Sequence, residues 1–301
     1  MKILSTKVLV TGSKGQLGLD MTGMLKADGL DVKSYDLPEL DITNAAKVAE
    51  VVSGYRPDII INCAAYTQVD KAESDEKRAY AVNRDGAANL AAAAEGINAI
   101  LLHISTDFVF DGRKASPYNE TDEPNPLSVY GASKLAGEQA IMDRHDKHII
   151  IRTSWLYSTR GQNFVKTMLK LAFERDTLRV VYDQVGSPTW SADLAQAILK
   201  MIKGMMGASS PYGIFHYANE GVASWYDFAV AIVEAARKNG IKLKCRNVEA
   251  ILTGEYPLPA KRPSYSVLDK SKIKSSYGLV IPHWGLSLNI MLDEIFGGLR
   301  G

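Results

Sequence analysis

The chain has 301 residues, 46% of them hydrophobic and 23% charged, so it can bury a large core in one big domain or two unequal ones. Its formal net charge of +1 excludes the broad positive field that draws proteins to nucleic acid or to an anionic membrane. The two cysteines, Cys63 and Cys245, are too few for a disulfide scaffold and lack metal-ligand spacing. No apolar run reaches membrane-spanning length, and the N-terminal segment lacks the features of a signal peptide. We therefore expect a cytoplasmic protein without nucleic-acid or membrane partners.

Short β-branched segments alternate with longer helical patterns in the first half of the chain. The segment 58–62 is apolar between polar ends, which is typical of a parallel sheet covered on both faces. The alanine-rich segment 89–95 has high helix propensity and lies between two strands, so it is predicted to be a crossover helix. This alternation predicts an α/β fold with a Rossmann-type doubly wound parallel sheet. Its strands are predicted at residues 7–11, 31–35, 58–62, 99–105 and 148–153.

The alternation of strand and helix patterns becomes less regular after residue 153. We expect residues 1–154 to form the dinucleotide-binding domain, with about 185–215 returning to it, and residues 155–184 and 216–301 to form a smaller C-terminal substrate-binding lobe. The elements predicted in this half are helices at 163–174, 191–202 and 224–239, strands at 178–182 and 213–218, a turn at 187–188 and a proline-rich loop at 254–263.

A glycine-rich turn follows the first predicted strand, with Gly12, Gly15 and Gly18 opening a helix. Glycine permits a tight turn and lets backbone N–H groups approach a pyrophosphate, while the helix N-terminus favours the anion. An ordinary glycine-rich turn would look similar, but strand, glycines and helix come in the order that dinucleotide binding requires. The turn therefore predicts nucleotide binding.

Asp36 ends the second predicted strand. It lies close to the spacing of about 20 residues after the turn at which an acidic residue binds the adenosine ribose. A free 2′-hydroxyl there would indicate NADH, and a surface-turn aspartate is the alternative interpretation. Lys14, in the glycine turn, could instead bind the 2′-phosphate of NADPH. The sequence leaves both cofactors open.

Tyr130 and Lys134 lie four residues apart, a spacing that places both side chains on one face of a helix. A fixed cation near a phenol favours its charged form and lowers its pKa, so the pair could act as a proton donor. The same spacing also occurs on ordinary solvated helices. Thr106 follows the fourth predicted strand, where its hydroxyl could bind a substrate carbonyl or cap the backbone. These three residues form the candidate catalytic group.

The glycine turn, the hydroxyl residue after the fourth strand and the Tyr-x-x-x-Lys pattern together resemble the extended short-chain dehydrogenases/reductases. Within that superfamily the chain resembles the dTDP-4-dehydrorhamnose reductase family nearly from end to end. The segments that carry this narrower resemblance are 62–73 (NCAAYTQVDKAE), 105–112 (STDFVFDG), 152–157 (RTSWLY), 163–168 (NFVKTM), 183–189 (DQVGSPT) and 260–263 (AKRP).

The resemblance implies reduction of the 4-keto group of dTDP-6-deoxy-L-lyxo-4-hexulose to dTDP-L-rhamnose by NADPH or NADH, the last step of dTDP-rhamnose biosynthesis. It implies that Thr106 fixes the carbonyl oxygen and that Tyr130 donates a proton to the developing alkoxide. Lys134 would lower the pKa of Tyr130 and hold the nicotinamide ribose. The cofactor would carry the hydride.

The resemblance also divides the other matching residues between cofactor and substrate. The residues implied in cofactor binding are Gly12, Lys14, Gly15, Gln16, Leu17, Gly18, Asp36, Asp41, Ile42, Ala64, Ala65 and Tyr66, together with Tyr130 and Lys134. Those implied in binding the dTDP-sugar are Thr67, Val69, Asp107, Phe108, Trp155, Asn163 and Arg262. Trp155 would offer a flat apolar face to the sugar, and Arg262 a guanidinium fork to the diphosphate. Taken without the resemblance, they would be a core and a surface residue.

The chain departs from the family pattern at two positions. Many relatives have histidine in place of Tyr66 and tyrosine in place of Phe108, so affinity or substrate range could differ without a change in hydride chemistry. Some relatives are associated with magnesium at a carboxylate-lined dimer contact. Asp20 and Glu294 match two of those acids, but Ala192 stands where a third is expected. We therefore predict no metal, and a homodimer is an expectation from the resemblance.

Two alternatives share this ancestry. An epimerase or a 4,6-dehydratase would keep its NAD bound and oxidised through the cycle, but Phe108 stands where dehydratases have the second carboxyl needed for water elimination. A non-catalytic NADP-binding regulatory subunit, like the β subunit of methionine adenosyltransferase, would bind without turnover. The intact set of Thr106, Tyr130 and Lys134 favours an enzyme.

Overall fold

The computed structural model describes residues 6–205 and 211–297. Its strands are β1 Lys7–Thr11, β2 Asp31–Tyr35, β3 Ile59–Asn62, β4 Ile100–Thr106, β5 His148–Thr153, β6 Leu156–Tyr157, β7 Thr177–Val181, β8 Val185–Gly186, β9 Thr189–Trp190, β10 Gly213–His216, β11 Ala223–Ser224 and β12 Asn247–Ile251. Its α-helices are α1 Gln16–Ala27, α2 Ala45–Tyr55, α3 Val69–Ala72, α4 Glu76–Tyr80, α5 Gly86–Ile97, α6 Val129–Met142, α7 Phe164–Glu174, α8 Ser191–Met205, α9 Trp225–Lys238, α10 Ser271–Tyr277 and α11 Trp284–Gly297. A π-helical turn covers Ala81–Asp85, and 3₁₀ turns cover Asp107–Val109 and Thr253–Glu255.

Six strands form one parallel sheet in the order β10-β5-β4-β3-β1-β2. The isoleucines of β3 are buried because apolar helices cover both sides of the sheet. Ile59 and Ile61 pack in a cluster with α1 and α8, whereas Ile60 packs with α2 and α5 on the opposite side. The predicted doubly wound α/β fold is confirmed, and the crossover helix predicted at 89–95 lies within α5.

The first five predicted strands occur within one residue of their predicted limits. The predicted limits 7–11, 31–35 and 148–153 match β1, β2 and β5. β3 begins at Ile59 rather than at residue 58, where the Asp58 carboxylate accepts a hydrogen bond from the backbone N–H of Lys7 (2.8 Å). β4 extends to Thr106 because that residue still pairs with Thr153 of β5.

Two elements from the second half of the chain pack with the main sheet. Leu194 and Ile198 of α8 join Met21 and Leu25 of α1 in one apolar cluster, and β10 extends the sheet beside β5. α8 continues past the predicted end at 202, and β10 ends before the predicted end at 218. The chain thus returns to the sheet after leaving it at β5.

A second apolar cluster is built by α7, α9 and α11, with Val165, Phe228 and Leu292 buried in it. The short strands beside it pair as β7 with β12, β8 with β11 and β6 with β9. The helices predicted at 163–174 and 224–239 occur as α7 and α9, and the strand predicted at 178–182 occurs one residue earlier as β7. β12, α10 and α11 were not predicted. Three of the five β12 residues are exposed and one is buried, and α11 is apolar around most of its surface, so neither contrasts a buried apolar face with an exposed polar one.

Within the two described ranges, none of the helices combines the length and the apolar character needed to span a bilayer.

Candidate active site

The carboxyl ends of the central strands open into one cavity of about 1070 Å³. Every residue predicted above for catalysis, cofactor binding or substrate binding lines this cavity. The individual roles of these residues stay predictions. The cavity is also lined by Arg78, Gln162 and Trp225, which were not predicted.

The glycine turn between β1 and α1 is packed too closely for side chains at two positions. Gly12 has a φ of +67°, and a Cβ there would lie 2.4 Å from the backbone nitrogen of Ala64. A Cβ on Gly18 would lie 2.1 Å from the carbonyl oxygen of Gly12. The absence of side chains therefore lets α1 and the segment after β3 approach the turn directly, as in dinucleotide-binding folds.

The N-terminus of α1 faces the same cavity. Gly15 is its N-cap and makes no side-chain hydrogen bond to the helix, and the next residues, Gln16, Leu17 and Gly18, line the cavity. Backbone N–H groups at an uncapped helix N-terminus, together with the helix dipole, suit a pyrophosphate. The residues of this turn therefore fit a dinucleotide.

Asp36 and Lys14 meet at the end of β2. The Asp36 carboxylate accepts hydrogen bonds from the backbone N–H groups of Lys14 (2.8 Å) and Leu37 (2.7 Å). The Lys14 ammonium donates to the Leu37 carbonyl (3.0 Å) and forms an ion pair with Glu39 (3.2 Å). A carboxylate for a ribose hydroxyl and a cation for a phosphate thus lie side by side.

Tyr130 and Lys134 are held by α6, whose N-cap Ser128 accepts a hydrogen bond from the backbone N–H of Gly131 (3.2 Å). Lys134 is only 2% exposed. Its Nζ donates to the carbonyl oxygen of Ile104 (2.6 Å) and lies 3.2 Å from Nε2 of His103. Burial lowers the pKa of Lys134 to about 8, although the Glu138 and Cys63 side chains act in the opposite direction.

The predicted lowering of the Tyr130 pKa by Lys134 is wrong in direction. Burial raises the pKa of Tyr130 to about 12, the Thr106 hydroxyl lowers it, and the Asp107 carboxylate raises it further. Removal of the phenolate from water is the largest of these effects, and Lys134 is not among the groups that shift the pKa of Tyr130. A phenol of this pKa keeps its proton at neutral pH and can still donate it to a sugar alkoxide, which is a stronger base.

Thr106 and Asp107 form a small hydrogen-bonded unit at the end of β4. The Thr106 hydroxyl accepts from the backbone N–H of Phe108 (3.2 Å), so it caps the 3₁₀ turn, and it donates to Oδ1 of Asp107 (3.1 Å). Oδ2 of Asp107 is buried and has no hydrogen bond to any described residue. Burial raises the pKa of Asp107 to about 6, and the nearby Ser266 and Thr106 hydroxyls lower it in part. The cap uses a lone pair of the Thr106 oxygen, whereas the predicted substrate role needs its single O–H, which would have to turn from Asp107 to the carbonyl oxygen.

Both departures from the family pattern occur at the cavity wall. The Tyr66 hydroxyl donates to the Asp75 carboxylate (3.1 Å). The Phe108 ring packs edge to face against the Tyr130 ring, with the centroids 5.6 Å apart. Phe108 therefore orients the candidate acid, although it lacks a hydroxyl for the sugar.

Trp155 is partly enclosed by its neighbours. It has a φ of +48°, and its indole stacks on the Trp225 ring at a centroid distance of 3.6 Å. A Cβ on Gly186 would lie 2.7 Å from the same indole. One face of Trp155 is therefore covered by Trp225, and the aromatic wall of the cavity is a pair of rings. The start of α9 at the Ser224 cap was the available signal for Trp225.

Asn163 joins the second lobe to the glycine turn. Its Oδ1 caps α7 by accepting from the N–H of Lys166 (3.2 Å), and its Nδ2 donates to Oε1 of Gln16 (2.9 Å) and to the carbonyl of Ser158 (2.7 Å). The amide of Asn163 is thus already engaged on both sides. Its structural role is evident, and its predicted contact with the sugar remains a prediction.

Arg262 reaches the cavity from the proline-rich loop. Its guanidinium binds the Asp70 carboxylate with both nitrogens, at 3.1 and 2.7 Å, and Asp70 also accepts from the backbone N–H of Ala260 (3.2 Å). The Arg262 pair is the main cause that holds the pKa of Asp70 below its usual range. This contact ties the loop to α3 and orients the fork beside the cavity.

A second cavity of about 310 Å³ lies where α1, α8 and α11 meet, and Asp20, Ala192 and Glu294 line it. The Asp20 carboxylate accepts from the Ser158 hydroxyl (3.0 Å) and from the Ser191 hydroxyl. Among the described residues, no group of three or more histidine, cysteine, aspartate or glutamate side chains is arranged to hold a metal ion.

The fold and the main cavity define the class of protein. A doubly wound sheet, a glycine turn at a helix N-terminus and a tyrosine and lysine beside it are characteristic of Rossmann-type oxidoreductases that use a nicotinamide dinucleotide. The sequence narrows this class. A family model described as the RmlD substrate binding domain matches residues 6–296. The chain belongs to this family.

Similar proteins cover almost the whole chain. A dTDP-4-dehydrorhamnose reductase of Aggregatibacter actinomycetemcomitans is 45% identical over 284 residues, which are 94% of this chain and 97% of that protein. A crystal structure of a dTDP-4-dehydrorhamnose reductase from Clostridium acetobutylicum has a TM-score of 0.90 and 43% identity and covers 97% of this chain and 100% of that one. A structure from Bacillus anthracis, of a dTDP-4-dehydrorhamnose reductase in complex with NADP, has a TM-score of 0.90, 42% identity and the same coverage.

Proposed function

We propose that the protein reduces the 4-keto group of dTDP-4-dehydrorhamnose to give dTDP-L-rhamnose, with NADPH or NADH as the reductant. The observation that carries the proposal is that Thr106, Tyr130 and Lys134 share one cavity with the glycine turn. The full-length similarity to reductases of this name supports the choice of substrate. The product would enter rhamnose-containing polysaccharides as its dTDP-sugar.

The nicotinamide dinucleotide, when bound, supplies the hydride that adds to the keto carbon. The protein positions the reacting groups and supplies the proton. The Thr106 hydroxyl holds the carbonyl oxygen, and the Tyr130 hydroxyl donates its proton to that oxygen as negative charge develops on it. Lys134 would hold the nicotinamide ribose, and the Arg262 fork would bind the diphosphate of the sugar nucleotide.

We also propose that the protein forms a homodimer and is located in the cytoplasm. α1, α8 and α11 meet at the second cavity, and Ile290, one turn before Glu294 on α11, is an apolar side chain that is 53% exposed. We propose that two copies associate through this face, which sedimentation velocity would test. Both cysteines are free, and this agrees with a cytoplasmic location.

The decisive experiment is a reductase assay with dTDP-4-dehydrorhamnose, run with NADPH and NADH in parallel. We expect loss of the reduced-nicotinamide absorbance that depends on the keto sugar, and dTDP-L-rhamnose as the product by NMR. Protein that retains oxidised NAD through purification and interconverts sugar epimers would instead be an epimerase. Binding of NADPH without turnover of any 4-keto nucleotide sugar would indicate a regulatory subunit and contradict the proposal.

Tyr130→Phe tests the proton donor in this assay. We expect kcat to fall by about 10²- to 10⁴-fold, the usual contribution of general acid catalysis, because only the hydroxyl is removed. NADPH affinity should change little. Tyr118→Phe is a matched control, since its hydroxyl donates to Asp111 outside the cavity. Near-normal turnover by Tyr130→Phe would remove this residue from the mechanism.

A further inference from the structure

A chain of buried polar side chains runs from the end of β1 to the candidate catalytic lysine. Thr11, Asn62 and His103 are each 1% exposed, and Lys134 is 2% exposed. The Thr11 hydroxyl donates to Oδ1 of Asn62 (2.8 Å), Nδ2 of Asn62 meets Nδ1 of His103 (2.9 Å), and Nε2 of His103 meets Nζ of Lys134 (3.2 Å). The path therefore crosses β1, β3, β4 and α6.

The direction of these hydrogen bonds is set at the Asn62 end. The backbone N–H of Ala64 donates to Oδ1 of Asn62 (3.0 Å), so the amide presents its N–H to His103. Nδ1 of His103 is therefore the accepting nitrogen, and the proton of the neutral ring lies on Nε2. Nε2–H then points at Nζ of Lys134. An ammonium carries only donors, whereas a neutral amine has a lone pair that accepts this hydrogen.

We propose that Asn62 and His103 form a positioning relay that favours the neutral amine of Lys134 by presenting it with an N–H donor. The inference depends on the proposed function only because Lys134 belongs to its catalytic group. If so, the lysine can lose its charge slightly above neutral pH, whereas its spacing from the tyrosine predicts a permanent cation. Its charge is set by a histidine on β4 that the cavity does not expose.

The other groups around Lys134 allow this state. Glu138, one turn later on α6, is bound by the Arg152 guanidinium (2.7 Å) and so is already neutralised as a pair. Burial raises the pKa of the Cys63 thiol to about 12, and Tyr130, one turn earlier on α6, keeps its proton at neutral pH. The Ile104 carbonyl (2.6 Å) and the paired Glu138 favour the ammonium, but the described neighbours do not include an unpaired carboxylate.

The ionisation of the pair agrees with the geometry. Burial lowers the pKa of His103 well below its ordinary value, so the ring is neutral at pH 7 and has one N–H to give. Burial likewise lowers the pKa of Lys134 to about 8, so the neutral amine becomes the main form above that pH. A hydrogen bond donated to the neutral amine acts in the same direction.

The tautomer can be observed directly in the unaltered protein. The chain contains five histidines, so ¹⁵N-histidine labelling gives a small set of ring signals, and His103→Gln identifies the one of interest. We expect Nε2 of His103 to be protonated and Nδ1 to be unprotonated at pH 7. A ring protonated at Nδ1, or at both nitrogens, would overturn the proposal.

A pair of variants tests the effect on the lysine. Asn62→Asp replaces the donor facing Nδ1 with an acceptor, which moves the ring proton to Nδ1 and leaves a lone pair for the Lys134 ammonium. We expect the pH midpoint for acetylation of Lys134 by acetic anhydride, followed by peptide mass spectrometry, to rise by about one unit or more. NADPH-binding titrations across the same pH range provide a second readout.

Asn83→Asp is the matched control for the added charge. Asn83 is 1% exposed and donates to the hydroxyl of Ser133, the residue before Lys134, but it has no hydrogen bond to His103. We expect a clearly smaller rise in the midpoint. Equal rises in both variants would mean that charge alone is responsible and would overturn the relay. These readouts do not need turnover, so they are independent of the outcome of the reductase assay, and the ¹⁵N measurement needs neither variant to fold.

Discussion

The Asp107 carboxyl is ionised at neutral pH at a cost to stability. Burial raises its pKa from 3.8 to about 6. Between these two values the folded protein binds more protons at this site than the unfolded chain does, so stability falls as the pH rises. The loss is complete above pH 6 and amounts to as much as about 3 kcal/mol. Carboxyl groups with such raised pKa values are concentrated at binding and catalytic sites, which agrees with the predicted place of Asp107 beside the sugar.

Asp107→Asn should therefore stabilise the protein at pH 7.5. Asparagine keeps an oxygen for the Thr106 hydroxyl but does not ionise, so we expect a higher Tm at pH 7.5 and a difference that shrinks as the pH is lowered toward 4. Thermal unfolding at several pH values measures this. Asp111→Asn is the control, and it should lower the Tm at pH 7.5. The hydrogen bond from the backbone N–H of Arg113 is the main cause that holds the pKa of Asp111 below its usual range, so ionised Asp111 stabilises the fold. A pH-independent gain at Asp107 would contradict the explanation.

Lys14 is the residue on which a preference for NADPH would depend. Its backbone N–H donates to Asp36, and its ammonium is held by Glu39 and the Leu37 carbonyl. We expect Lys14→Ala to weaken NADPH binding by about tenfold, or 1.4 kcal/mol, with little change for NADH, because only NADPH carries the 2′-phosphate. Titrations of nucleotide fluorescence measure both affinities. Lys47→Ala controls for general charge loss, because the Lys47 ammonium on α2 is likewise partly exposed and paired with a glutamate, Glu50. Equal weakening of both cofactors would exclude contact with the phosphate.

At this scale, sequence spacing predicted where the candidate residues lie but not their ionisation. Tyr130 and Lys134 share the cavity as predicted. The direction of the Tyr130 pKa was predicted wrongly, because it depends on burial and on Asp107, which follows β4 and is not part of α6. The spacing of residues along one helix does not predict which groups from other elements will pack against them.

At the level of single elements, α7 shows how one cap serves both stability and the cavity. Asn163 and Asn44 are both N-caps whose side chains accept from a backbone N–H, but only Asn163 also donates to Gln16. We expect Asn163→Ala and Asn44→Ala each to lower the free energy of unfolding by about 1 kcal/mol in urea titrations. Only Asn163→Ala should also weaken NADPH binding, since it releases Gln16. Unchanged NADPH affinity would show that this link is structural only.

Elements differed in how well the sequence predicted them. The buried strands and α7 to α9 have strong patterns because one face or both faces of each are apolar. β12 pairs along its length with β7 but has only one buried residue, Ile251, so its pairing depends on backbone hydrogen bonds that no side-chain pattern records. Strand pairs of two residues, such as β8 with β11, are too short for any period.

At the scale of the whole molecule, the cavity is closed by segments far apart in the sequence. Asp70 belongs to α3, early in the chain, and Arg262 lies near its end. The two terminal nitrogens of the Arg262 guanidinium nevertheless both donate to the Asp70 carboxylate. We still propose, rather than observe, a division into a dinucleotide-binding domain and a substrate lobe. If that division is correct, this ion pair fixes the relative placement of the two parts at the position where the diphosphate would lie.

Arg262→Lys tests this arrangement, because lysine keeps the charge but loses the fork. We expect KM for the sugar nucleotide to rise by about tenfold with little change in kcat, since binding of the diphosphate is lost equally from the ground state and the transition state. NADPH affinity should be unaffected. Arg179→Lys is the matched control: its guanidinium is also paired, with Glu255 (2.7 Å), but is 53% exposed and does not line the cavity. If Arg262→Lys lowered kcat with KM unchanged, the guanidinium would be acting on the reacting groups, and its assignment to the diphosphate would be wrong.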